Sequence, residues 1–145
     1  MTTITTPPIR AMSNVIVMYG ADGASVDITG ACNTAQLNAT VNEIETTTLA
    51  STGKETTPGQ SEWKIEVGGP WSLALDNVLG PDVVTPPATK RDASIQFGQT
   101  GNQVLYTWDT NAFVSNYSID PSNPSEAITW SGTLVLSGSP TRTTA

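Results

Sequence analysis

Apolar residues recur at helical spacing in only one stretch of this chain and at strand spacing in most of the rest, so the fold within its reach is mainly β. Asn14 to Tyr19 (NVIVMY) is apolar on both parities, the pattern of a strand covered on both faces. The hairpin-turn dipeptide Asp22-Gly23 follows, and Ser25 to Thr29 resumes an extended pattern. Gln36 to Thr48 is the longest strand candidate. Leu37, Ala39 and Val41 share one parity with Glu43 and Glu45, while Asn38, Thr40 and Asn42 share the other with Ile44. The apolar side therefore swaps near residue 43, which a bulge would explain. Glu62 to Gly68 alternates cleanly, with Trp63, Ile65 and Val67 inward and Glu62, Lys64 and Glu66 outward. Ala93–Gln99, Gln103–Asp109, Ala112–Ile119 and Ala127–Ser137 read as four further strands, the last with Ile128, Trp130, Leu134 and Leu136 on one side and Thr129, Ser131 and Thr133 on the other.

The helical stretch is 70–80. Trp71, Ala74, Leu75, Val78 and Leu79 make one apolar face, Pro70 is suited to open the helix, and Gly80, followed by Pro81, is suited to close it. The expected core is thus Trp63, Ile65, Val67, Trp71, Leu75, Leu79, Ile128, Trp130 and Leu134. Trp108 has Tyr106 and Thr110 as parity neighbours and reads as an interface candidate. Residues 49–61 (LASTGKETTPGQS) are polar and punctuated by Gly and Pro, the composition of a long loop. The expected organisation is an arm at 1–13, a single β domain at 14–138 and a Thr/Ser/Pro-rich tail at 139–145: an antiparallel β-sandwich or half-barrel with one packed helix.

The residue inventory excludes much chemistry. The chain has no histidine, so it has no imidazole base and no Ser-His-Asp arrangement, and a single cysteine, Cys32, allows neither an internal disulfide nor a thiolate metal cluster. Its 13 acidic residues against 6 basic give a net charge of −7, unsuited to grasping nucleic acid. Gly53-Lys54-Glu55-Thr56 lacks the glycine and the hydroxyl residue of a phosphate loop, and Asp120-Ser122-Glu126 lacks the glycine of a calcium loop. Glu43 with Glu45, and Glu62 with Glu66, lie along one strand rather than across a substrate bond. No catalytic residue, metal site or cofactor is expected. Met1–Pro8 has neither the basic start nor the apolar run of an export signal, and no stretch approaches the length of a membrane span, so a cytoplasmic location without a membrane anchor is expected.

The order of a polar arm, a hydrophobic strand, the long strand 36–48, a loop carrying Thr57-Pro58-Gly59, the strand 62–68, a helix and late hairpins resembles the major tail tube proteins of long-tailed bacteriophages. The segments AFVSNYSI (112–119) and AITWSGTLVLSG (127–138) carry most of the likeness. The resemblance implies a structural virion protein, made in the host cytoplasm and built into the tail. Six copies would form a ring whose sheets close into a β-barrel, and rings would stack into a tube that passes DNA as transient, non-specific cargo. Tape-measure, tail-tip and terminator proteins would be its partners. By that likeness Asn38, Thr40, Asn42, Glu43, Glu45, Thr129, Ser131 and Thr133 are candidates to face the lumen. Thr52, Gly53, Lys54, Glu55, Thr57, Pro58 and Gly59 would reach an adjacent ring. An acidic, hydroxyl-rich wall would let DNA slide without sticking. A capsid decoration or tail-tip β-sandwich, or a carbohydrate-binding module built on the tryptophans, are the alternative readings.

Overall fold

The computed structural model describes residues 15–98, 103–121 and 128–144; the expected arm at 1–13 and the turn at Gly101-Asn102 lie outside them. Strand β1 (Val15–Ala21) turns through Asp22-Gly23 into β2 (Ala24–Asp27). Gly23 has φ 73°, the left-handed conformation that a two-residue hairpin turn demands. A 3-10 turn at Thr29–Ala31 leads to β3 (Thr34–Glu45), which pairs along its whole length with β4 (Thr56–Pro70). Their register shifts between Val41 and Glu43, where the parity swap calls for a bulge. Helix α1 (Leu73–Val84) follows, then β5 (Arg91–Phe97), β6 (Val104–Asp120), β7 (Thr129–Leu136) and β8 (Thr141–Thr144).

The eight strands form one antiparallel sheet in the order β2-β1-β5-β6-β7-β4-β3, with β8 also on β6. The two strands expected at 103–109 and 112–119 are a single long one. Thr110, at φ 53°, bends β6 without ending it, and its N–H donates to the Asp92 carboxylate at 2.7 Å. The first part of β6 pairs with β5 and β8, the second with β7. The sheet therefore curls into a half-barrel rather than splitting into two separate sheets.

Its concave side holds the core, where Val17, Tyr19, Ile65, Val67, Ile95, Leu134 and Leu136 are buried. Trp63 on β4 meets Trp108 and Tyr106 on β6 at ring-centroid distances of 5.6 and 5.7 Å, which packs β4 against the first part of β6. Trp108 is 1% exposed, so it is a core residue and not an interface one. Leu75 and Leu79 of α1 complete this core, Trp130 is buried beside them, and Trp63 and Trp71 are half-buried against it. Ile128 departs from the expected core. It is 39% exposed because it lies one residue before β7, where only its carbonyl is engaged, by the Trp71 N–H at 2.8 Å.

Three boundaries also depart from expectation. Pro70 stays in β4, opposite Thr129, and Ser72 caps α1 by accepting from the Leu75 N–H at 3.3 Å. The helix runs past Gly80 and contains Pro81, because Asp82 in the following turn is bound to the sheet. The irregular loop is 46–55 rather than 49–61, since Glu45 pairs with Thr56. In the tail, residues 141–144 form β8, opposite 104–107 of β6.

Candidate functional site

The convex side of β3, β4, β7 and the second part of β6 is mainly polar, with Val135 and Phe113 as its apolar members. Cross-strand registers put Asn38 opposite Lys64, Thr40 opposite Glu62, Thr133 opposite Glu66, and Ser131 opposite Gly68. Thr129 pairs with Pro70 on one side and Asp120 on the other. Residues directly opposite one another in a ladder share a face, so Asn38, Thr40, Thr129, Ser131 and Thr133 lie on one surface with Gln36, Glu62, Lys64, Glu66, Asn116 and Ser118. The Gln36 amide donates to Asn38 Oδ1 at 3.0 Å along this face. Asn42 keeps the parity of Asn38 and Thr40 but, like Thr40, lies beyond the end of β7 on the two-stranded part of the hairpin, where Glu43 and Glu45 take the opposite parity.

That departure creates the second feature. Strand β7 ends at Leu136, opposite Trp63, and from there β3 and β4 continue as a two-stranded ribbon. From Ala39 to Ala50 every residue is exposed, and Val41, Ile44 and Leu49 put apolar side chains into solvent. Thr57, Pro58 and Gly59 belong to β4 in this ribbon. Pro58, without an N–H, sits opposite Glu43 at the irregularity where strand proline is tolerated. A Cβ at Gly59 would press on the Asn42 carbonyl oxygen at 3.0 Å. Thr52, Gly53, Lys54 and Glu55 form the tip, closed by Thr46 N–H to Glu55 O at 2.9 Å and Glu55 N–H to Thr47 Oγ1 at 2.8 Å.

On the opposite side, α1 is bound to the sheet through its carboxylates. Asp82 accepts from Tyr19 Oη at 2.6 Å and from Arg91 Nε and Nη2 at 3.1 and 3.0 Å. Burial, then the bond to Asp82, pushes the Tyr19 phenol above the usual tyrosine range, and the same carboxylate raises Arg91. Asp76 accepts from Tyr117 Oη at 2.9 Å, whose oxygen accepts from Trp71 Nε1 at 2.9 Å. Burial and that bond raise Tyr117 as well.

Little here can do chemistry. Burial, with help from Asp27, pushes the Cys32 thiol up to about 11, so it is protonated and unreactive near neutral pH. The apolar groove of about 330 Å³ between β2, the 3-10 turn and α1 offers Val26, Ile28, Trp71, Leu75 and Val78, with Asp27 as its single carboxylate. Among the described residues, those that could hold a cation are Asp22, Asp92 and Asp109, whose carboxylate oxygens lie within 4.8 Å of one another. Asp92 feels desolvation that favours its neutral form, but the N–H groups of Thr110 and Gly23 outweigh it and lower its pKa; Asp109, bonded to Asp92, is raised.

The acid is distributed unevenly. Asp22, Asp27, Asp76, Asp82, Asp92 and Asp109 belong to α1, the β1–β2 hairpin or the other half of the sheet, and Glu43, Glu45 and Glu55 to the ribbon. The convex polar face carries Glu62, Glu66 and Asp120 with Lys64 among neutral hydroxyls and amides. The face is therefore itself net acidic, with three carboxylates against one ammonium, although most of the acid lies elsewhere.

Solved structures share the architecture. The chain superposes on a subunit of the SPP1 tail tube with a TM-score of 0.65 at 12% identity, covering 95% of this chain and 80% of that one. The chain has the tail-tube fold. A chain of the anti-feeding prophage cap, which terminates the tube of that particle, gives a TM-score of 0.69 at 18% identity over 100% and 97% of the two chains. One from the virion of the native gene transfer agent particle gives 0.70 at 10% identity over 93% and 99%. No protein-family model matches the sequence, and no curated protein sequence matches it. At this level of identity the tail-tube likeness is one of backbone path.

Proposed function

We propose that this chain is a structural subunit of the tail tube of a phage-like particle, with no catalytic role. Copies of it form six-membered rings, and the rings stack into a tube in the virion tail. The observation that carries the reading is a tail-tube fold in which one broad sheet face is kept polar by Ser, Thr, Asn and Gln while its reverse packs the core. In a ring this face lines the channel. A hydroxyl and amide surface with a small excess of carboxylates stays hydrated and gives duplex DNA few cationic groups to bind. Closure of the half-barrels into a ring covers the free edge of β3, which would otherwise invite uncontrolled pairing. The ribbon, with Thr52 to Glu55 at its tip, makes the contact to the next ring. Tape-measure, tail-tip and terminator proteins are the partners expected at the ends of such a tube.

Electron microscopy of the purified full-length chain tests this. Hollow tubes with six-fold rings are the expected result. A protein that stays monomeric at high concentration, by light scattering and microscopy alike, overturns the reading.

A further inference from the structure

Strand β4 presents Glu62, Lys64 and Glu66 in a row along the convex polar face, with Asn38 and Val135 directly beside Lys64 on the flanking strands. All three charged residues are exposed. Lys64 is the only basic residue that the registers put on this face among the described residues. Arg91 is turned to Asp82 on the core side, Lys90 donates to Ser137 Oγ at 3.1 Å, Lys54 is at the ribbon tip, and Arg142 is on β8 opposite Tyr106. Same-face neighbours on a strand are about 7 Å apart. Lys64 is therefore flanked along its strand by two carboxylate side chains, which weaken but do not abolish its attraction for a third anion. Among the described residues no carboxylate lies within ion-pair distance of it, and the Arg91–Asp82 pair is the one salt bridge between them.

We propose that Lys64 is the point at which this face touches polyanionic cargo. It contacts single backbone phosphates of duplex DNA, and Glu62 and Glu66 keep each contact weak enough to be exchanged as the duplex moves. The proposal rests on reading the convex face as a channel wall. It differs from the view of a uniformly repelling wall, because the charge alternates in sign along β4 while most of the acid lies elsewhere in the molecule.

The experiment uses tubes of the full-length chain, checked by microscopy, and retention of a short labelled duplex by sedimented tubes over a range of salt. Each Lys64–phosphate contact should lower retention about 3.5-fold between about 50 and 200 mM salt, from a slope of about −0.9 per phosphate. Lys64→Gln should flatten that dependence, Lys64→Arg should keep it, and Lys54→Gln on the ribbon should leave it unchanged. Glu62→Gln and Glu66→Gln should each raise retention several-fold while Lys64 is present, and Lys64→Met replaces Lys64→Gln if the latter fails to assemble. Normal tubes in which the Lys64 variant retains DNA with the salt dependence of the parent would overturn the proposal and leave the tube reading intact. Failure of the parent chain to form tubes would instead overturn the tube reading.

Discussion

Asp82 is a carboxylate in the last turn of a helix, the end at which the peptide dipoles already place negative charge. It is also only 8% exposed, so its charge must be met locally. Arg91 meets it with two hydrogen bonds and Tyr19 with a third. Arg91→Ala would leave a buried carboxylate answered by one phenol, and we expect a loss of about 3 kcal/mol in urea unfolding. The same cluster sets an alkaline limit. The folded pKa values of Tyr19 and Tyr117 lie above the unfolded value of 10.0, so the folded chain holds these protons more tightly. Their contribution is fully present below about pH 10 and is lost as pH rises through the folded values. Thermal melts should thus give a Tm that falls above about pH 10, and tyrosinate absorbance should lag behind that of an unfolded control.

The ribbon, at the scale of elements, is the clearest case of structure that does not serve the core of its own chain. Its two strands pair with each other, beyond the end of β7, and show apolar side chains to water. Replacing residues 46–55 with a two-residue Asn-Gly turn should leave the melting temperature within a few degrees of the parent, because no core contact is removed, while tubes shorten to single rings in micrographs. Tubes of unchanged length would remove the ribbon from the stacking contact. Most strands could be read from alternation, as could the hairpin at Asp22-Gly23 and the irregularity near residue 43, because each is a local pattern. What failed to read locally was set by distant partners. Pro81 signals a helix end, yet Tyr19 and Arg91 hold the following turn in place. Residues 141–144 are polar throughout and carry no strand signal; they pair because β6 offers a free edge. Trp108 looked like a surface residue until Trp63 came to lie against it. The polar face was legible strand by strand, in Asn38 and Thr40 or in Ser131 and Thr133. Joining these residues across Glu62, Lys64 and Glu66 required a strand order that no single window contains.

For the whole molecule, the balance to consider is a net charge of −7 on a chain that is read as packing against copies of itself. Like-charged subunits repel over the Debye length, about 30 Å at 10 mM salt and about 8 Å at 150 mM. Tube formation should therefore be favoured by added salt, with the sedimenting fraction rising over that range, in the opposite direction to the salt dependence of duplex retention. Assembly that weakened steadily with salt would mean that opposite charges dominate the contacts between subunits. Within each subunit, β6 is a member of both halves of the curl: its first part is flanked by β5 and β8, its second by β7, and the chain passes between them at Thr110 without a break. A pull applied at the ribbon reaches β7 through β4 and then β6, and from there the far half, by way of backbone ladders alone. Neither half can be peeled away without tearing a strand out of the other, so the protein has no seam along which to fail in part.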